Sequence, residues 1–121
     1  MVLELKHIKY VCQNKQRLFS FSAEVLITYK GRDSSGRGES VLNSNDAVQK
    51  AVINALRPLD IINMAEVLDL RILPNEPTEV FIVGFLGGKE LVGCSKNPDR
   101  PIAIAEALVD LHVRFLFLAQ S

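Results

Sequence analysis

The sequence contains no tryptophan, only two cysteines and no excess of charge of either sign. Cys12 and Cys94 are far apart, and neither belongs to a CxxC pair or a His/Cys cluster, so we predict two reduced cysteines and no metal site. Lysine and arginine total 14, aspartate and glutamate also total 14, and the formal net charge is zero. Such a chain has no strong field to attract nucleic acid, and we predict no nucleic-acid partner.

Long apolar runs are also missing. The N-terminal MVLELKHIKYVC has neither the extended apolar core nor the cleavage site of a signal peptide. The most apolar stretch, Ile102 to Ala119, is interrupted by charged residues and a histidine and is close to the minimum of about 17 to 20 residues for a membrane span. We therefore expect a cytoplasmic protein with no membrane partner. With 121 residues, 48% of them hydrophobic, the chain suits about one domain.

Strand patterns dominate the first forty residues. In 2–12 the apolar parity shifts by one position, which indicates a strand with a bulge near His7. Leu18 to Lys30 alternates more clearly and predicts a strand with one wet face. Gly31 to Gly38, GRDSSGRG, has the composition of a loop, and a short third strand is expected from Glu39 to Leu42.

A helix is predicted after these strands. Its N-cap is expected near Ser44 or Asn45, with Asp46 in the first turn, where the helix dipole favours negative charge. Pro58 should end it. The residues of its apolar face recur at helical spacing: Val48, Ala51, Val52, Ala55 and Leu56.

The second half repeats this order. Leu68, Leu70 and Ile72 alternate with charged residues, and Thr78 to Leu86 is an apolar run rich in strand-forming residues. A tight hairpin at Gly87-Gly88 should lead into the strand Glu90 to Cys94, and a second helix should begin near Asp99 to Pro101.

Both halves thus read strand, strand, strand, helix, over about 2–58 and about 64–119. In both, a strand with glycine passes through a polar turn into an alanine-rich helix: GESVLNSNDAVQKAV and GCSKNPDRPIAIAEAL. The predicted fold class is α+β, made of two tandem βββα repeats in a single domain, 1–121. Its antiparallel sheet should carry two helices on one face.

The second helix is apolar nearly all round. Glu106, Asp110 and Arg114 lie four residues apart on one narrow stripe, and they are best explained as solvated charges, with Asp110 able to pair with Arg114. A helix of this kind must be buried on more than one side. We expect its own sheet to cover one side and a second copy of the chain the other, which predicts a homodimer.

The motifs VGCSKN and ALVDLHVRFL resemble the C-terminal regulatory domain of α-isopropylmalate synthases and citramalate synthases. The family pattern VGVSxN and ALVD is matched at Val92, Gly93, Ser95, Asn97, Ala107, Leu108, Val109 and Asp110. Similar features are the G-x-G at Gly36 and Gly38, the D-A-x-x-x-A at Asp46, Ala47 and Ala51, and Asp69 and Arg71 within VLDLRIL. The resemblance covers most of the chain and implies the same double βββα fold. The chain departs from the family in having extra residues in both turns before the helices and no Gly-Pro pair in the first.

The resemblance implies a feedback and dimerisation domain that binds leucine or isoleucine and follows a catalytic domain in the same polypeptide. We assign the effector to the two helix starts, where unpaired N–H groups suit a carboxylate. The expected effector-binding residues are Gly38, Asn45, Asp46, Ala47, Val48, Ala51, Ser95, Asn97, Asp99 and Ile102. Each also has an ordinary capping or core role.

No catalytic residue, metal or cofactor is predicted. A condensing synthase needs a barrel of about 250 residues, for which this chain has no room. His7 and His112 suit packed or interface positions, and Ser95 has no histidine partner. Two alternatives stay open: a module like a double-stranded-RNA-binding domain, suggested by GRGES before an alanine-rich helix, and a dimerisation module without an effector.

Overall fold

The structure is a computed structural model that describes residues 3–15, 18–41, 43–59 and 66–120. The chain forms two compact units, Met1–Ile61 and Ile62–Ser121. Each unit is a three-stranded antiparallel sheet followed by a helix, which confirms the α+β class and the two βββα repeats. The six described strands form two separate sheets, each with its own helix. The grouping of both repeats into one domain stays a prediction.

The first sheet has the strand order β1-β2-β3, from β1 (Glu4–Lys15), β2 (Leu18–Tyr29) and β3 (Arg32–Ser40). The register of β1 against β2 shifts between Leu5 and His7, so the predicted bulge is confirmed. Ala23, Val25 and Ile27 of β2 are buried, as the alternating pattern indicated. Val2 and Leu42, which we placed in strands, and the side chain of Cys12 lie outside the described residues.

The prediction for GRDSSGRG was wrong. It is not a loop: Lys30 and Gly31 alone make the turn, with φ angles of 53° and 75°, and β3 begins at Arg32. The third strand therefore starts seven residues before the predicted Glu39. Its inward residues Ser34, Gly36, Gly38 and Ser40 alternate with exposed ones. Glycine and serine stand at these positions because the helix of the unit passes directly over them.

Helix α1 (Ser44–Leu56) packs on β3 and β2. Its N-cap is Asn43, one residue before the predicted Ser44, and the Asn43 Oδ1 accepts a hydrogen bond from the N–H of Asp46 at 2.7 Å. A short 3₁₀ turn, Arg57–Leu59, follows the helix, as expected from Pro58. The buried face contains Ala47, Val48, Ala51, Val52, Ala55 and Leu56.

The second sheet has the order β4-β5-β6, from β4 (Glu66–Leu73), β5 (Thr78–Leu86) and β6 (Lys89–Asn97). Gly87 and Gly88 make the predicted hairpin with φ angles of 59° and 80°. The register of β4 shifts between Val67 and Asp69. This bulge leaves Leu68 half exposed, so the predicted alternation holds for Leu70 and Ile72 only.

Helix α2 (Arg100–Gln120) packs on β6 and β5 and begins where the sequence predicted. Gly93 of β6 lies directly beneath it, where an added Cβ would meet the backbone of Ala107 and Leu111. Most residues of the helix as far as Phe115 are buried or partly buried. Its fully buried residues include Ala103, Ile104, Ala105, Ala107, Leu108, Leu111 and His112.

Candidate functional site

The predicted effector residues of the first unit fall into two groups. Gly38, Ala47, Val48 and Ala51 are buried where α1 crosses β3. A Cβ on Gly38 would lie 2.5 Å from the Ala51 nitrogen and 2.7 Å from the Cβ of Lys50. This contact is packed without room for a ligand atom, so these four residues hold the helix on the sheet. Asn45 and Asp46 stay partly exposed at the start of the helix.

Asp46 is held by its neighbours. The Nζ of Lys50, one turn later, lies 3.0 Å from the Asp46 carboxylate. Hydrogen bonds from Lys50 and then from Ser40 lower the pKa of Asp46 below its ordinary value of 3.8. Lys50 also donates to the backbone carbonyl of Glu39 at 3.2 Å. A carboxylate with these partners is less available to bind the ammonium group of an amino acid.

The residues predicted at the start of α2 form a local network. Ser95 Oγ and Asn97 Nδ2 both donate to Glu106 Oε1, at 3.3 and 3.1 Å. Asn97 Oδ1 accepts from the N–H of Asp99 at 2.9 Å. These hydrogen bonds join the turn between β6 and α2 to the helix. Ile102, in the first turn of the helix, is partly exposed.

The polar residues of α2 also form contacts within the unit. Asp110 Oδ2 accepts from the backbone N–H of Cys94, an edge-strand residue, at 2.9 Å, and Arg114 Nε donates to the same carboxylate at 2.9 Å. This pairing with Asp110 raises the pKa of Arg114. We expected solvated charges: the Asp110–Arg114 pair is confirmed, and the contact of Asp110 with β6 was missed.

Helix α1 has a corresponding stripe. Asn54 Nδ2 donates to the carbonyl of Arg37 at 2.7 Å, and Lys50 reaches the carbonyl of Glu39. Both carbonyls belong to the edge strand β3. In both units, polar residues of the helix thus bind the backbone of the last strand: Lys50 and Asn54 in the first unit, and Asp110 in the second. The sequence indicated this role only by the shared spacing of 46-50-54 and 106-110-114.

The two histidines differ in environment. His7 is exposed on β1, whereas His112 is 1% exposed and its Nδ1 lies 2.8 Å from the Leu108 carbonyl. Burial lowers the pKa of His112 below its ordinary 6.5. Within the part of the chain that the structure describes, no three His, Cys, Asp or Glu residues come together in a way that could hold a metal ion.

Two surface depressions lie on the second unit. The first is lined by Leu91, Val92, Arg114, Phe117 and Leu118. Two of its apolar side chains are strongly exposed to solvent: Phe117 is 62% exposed and Val92 is 44% exposed. Exposed apolar side chains that lie side by side can mark a contact with another protein.

The second depression, about 610 Å³ in volume, lies between the β4–β5 connection and the start of α2. Three prolines line it, together with the exposed charged residues Glu76 and Arg100. Its remaining lining residues are Asn75 and Thr78. Sequence reasoning did not select any of these residues; the signal that could have found them is the cluster of prolines 74, 77 and 98 on both sides of the hairpin.

Neither a family model nor a curated protein matches this sequence. None of the helices in the described ranges is long and apolar enough to cross a lipid bilayer.

Proposed function

We propose that the chain is the effector-binding and dimerisation domain of an acyl-CoA-condensing synthase of the isopropylmalate or citramalate type, with leucine or isoleucine as its feedback effector. The observation that supports this most is the tandem βββα architecture. The resemblance implied that architecture, and the strand and helix patterns predicted it separately. The cytoplasmic location and the catalytic domain upstream in the same polypeptide belong to the same proposal.

The use of the polar groups favours binding over catalysis. Glu106 holds the β6–α2 turn, Asp110 binds the backbone of Cys94, and the pKa of His112 is lowered by burial. In these residues the carboxylates and the imidazole are engaged in contacts that maintain the fold. General acid–base chemistry needs such groups next to a substrate.

The exposed apolar side chains support the dimer. Phe115 is buried within the chain itself and gives no support for a partner. Phe117 and Val92 do, because they border one depression and leave apolar surface in water. The RNA-binding alternative has less support: Lys50, the lysine of α1, is engaged by Asp46 and by the carbonyl of Glu39.

Thermal unfolding of the purified chain with each of the twenty amino acids tests the proposal. A ligand bound only by the folded state stabilises it by about 2.7 kcal/mol at a hundredfold excess over Kd. We expect leucine or isoleucine alone to raise the melting temperature, and sedimentation at micromolar concentration to show a dimer. If no amino acid raises the melting temperature at millimolar concentration, the effector is refuted and only a dimerisation module remains. A monomer in sedimentation refutes the dimer.

A further inference from the structure

The depression between the β4–β5 connection and the start of α2 has the chemistry of a binding site for a free amino acid. We propose that Arg100 holds the carboxylate of an aliphatic α-amino acid there, that Glu76 holds its ammonium group, and that Pro74, Pro77 and Pro98 contact its side chain. The inference rests on the proposed function for the choice of effector, and it moves the effector from the residues predicted in the sequence to a different set.

Two opposite charges border the depression. Glu76 and Arg100 line the same depression, and both are exposed. Across residues 3–15, 18–41, 43–59 and 66–120, neither side chain makes an ion pair or a hydrogen bond. Other opposite charges of this unit that lie close together do pair, as Arg71 with Asp69 at 2.9 Å. Two opposite charges that face one hollow without joining leave space between them for a molecule that carries both signs.

An α-amino acid is such a molecule. The planar guanidinium of Arg100 can donate two parallel hydrogen bonds to a carboxylate, and the Glu76 carboxylate can accept from an ammonium. Both contacts are charge-assisted and stronger than those between neutral groups. A ligand that lacks either charged end would leave one of the two protein charges without its partner.

The prolines supply the third part of the site. Each proline has a fixed φ angle and little conformational freedom to lose, so a wall of three changes little when a ligand arrives. Their rings offer apolar surface to an aliphatic side chain. The volume of about 610 Å³ lies within the range of about 300 to 1,000 Å³ typical of small-molecule sites.

Calorimetric titration of the whole chain with L-leucine and L-isoleucine tests the site. Arg100→Ala and Glu76→Gln should each weaken binding about tenfold or more, the effect of losing one charge-assisted contact. Lys89→Ala and Glu90→Gln are the matched controls, because these exposed residues lie in the β5–β6 hairpin outside the depression and the changes remove the same charges. They should bind like the wild type. All four variants should keep the melting temperature of the unliganded wild type.

Two leucine derivatives separate the ends of the ligand. N-Acetyl-leucine keeps the carboxylate and loses the ammonium, whereas leucine amide keeps the ammonium and loses the carboxylate. Each should bind the wild type at least about tenfold more weakly than leucine. In Glu76→Gln the difference between leucine and N-acetyl-leucine should shrink, and in Arg100→Ala the difference between leucine and leucine amide should shrink.

The outcomes distinguish this site from the wider proposal. If leucine binds and both variants keep wild-type affinity, the site is overturned while the proposed effector stands. If a different amino acid binds and Arg100→Ala abolishes its binding, the site stands and the branched-chain effector falls. If none of the twenty amino acids binds the wild type, both are overturned.

Discussion

Replacing Gly36 by alanine is expected to destabilise the first unit by about 2 kcal/mol. Gly36 lies on the inward face of β3, where α1 crosses the strand. A Cβ there would lie 2.8 Å from the Cα of Ala55 and closer still to the Ala51 oxygen and the Ala55 nitrogen. These are backbone atoms of a helix, which no side-chain rotation can move aside, so α1 must shift as a whole.

Two opposing effects set the magnitude. Overpacking a well-filled core costs about 1 to 3 kcal/mol, and a contact with the helix backbone belongs at the upper end of that range. Alanine in a strand interior is favoured over glycine by about 0.5 to 1 kcal/mol, since glycine loses more conformational freedom on folding. The overpacking cost prevails, and the difference is about 2 kcal/mol.

Gly84 provides the contrast that tests the reasoning. A Cβ at Gly84 would meet the side chain of Leu111, with Cδ2 at 2.5 Å, and that side chain can rotate. Gly84→Ala should therefore change the free energy of unfolding by less than about 1 kcal/mol. Ser35→Ala, on the outer face of β3, should change it by no more than about 0.5 kcal/mol.

Urea unfolding followed by circular dichroism at one protein concentration measures all three variants. The midpoint should fall for Gly36→Ala with the slope m unchanged, because the surface exposed on unfolding stays the same. Equal losses for Gly36→Ala and Gly84→Ala would refute the distinction between helix backbone and rotatable side chain. An unchanged midpoint for Gly36→Ala would refute the close helix–strand contact.

Two further predictions concern the helices. Asn43→Ala should lower the free energy of unfolding by about 1 kcal/mol, because the hydrogen bond from the Asp46 N–H is lost. Asn45→Ala should lower it much less. If urea unfolding gives the reverse order, Asn45 is the N-cap and Asn43 is not. The lowered pKa of His112 means that the unfolded chain binds this proton first as the pH falls. The contribution of the neutral imidazole to the free energy of unfolding should therefore be fully present above about pH 6.5. It should decline as the pH falls toward the pKa of the folded state. The decline should be absent in His112→Gln, and an identical pH profile for that variant would contradict the assignment.

The sequence predicted the features that depend on local chemistry. The parity shift near His7, the glycine pair of the hairpin and the stop at Pro58 were confirmed because each acts through neighbouring residues. The first seven residues of β3 were missed because their glycines and serines normally favour loops. They stand in a strand only because α1 lies against them, and a contact between distant segments has no local signature.

The choice of effector-binding residues depends on tertiary packing. The residues Gly38, Val48 and Ala51, chosen from motifs or for their size, are buried between α1 and β3. Arg100 and Glu76 carry no sequence motif, and they come to one depression only through the β4–β5 connection and the turn before α2. Which motif residues remain free for a ligand depends on tertiary packing, which spacing alone does not reveal.

The protection of the two edge strands in each sheet bears on whether the βββα unit can be repeated in tandem. One edge strand, β3 or β6, is bound by polar residues of the helix of the same unit, and the other, β1 or β4, is interrupted by a bulge. Unprotected edges invite further strands, and both devices discourage such addition. Because every protecting residue comes from within the unit, a tandem copy brings its own protection with it. Gene duplication can thus double this unit without creating a template for aggregation.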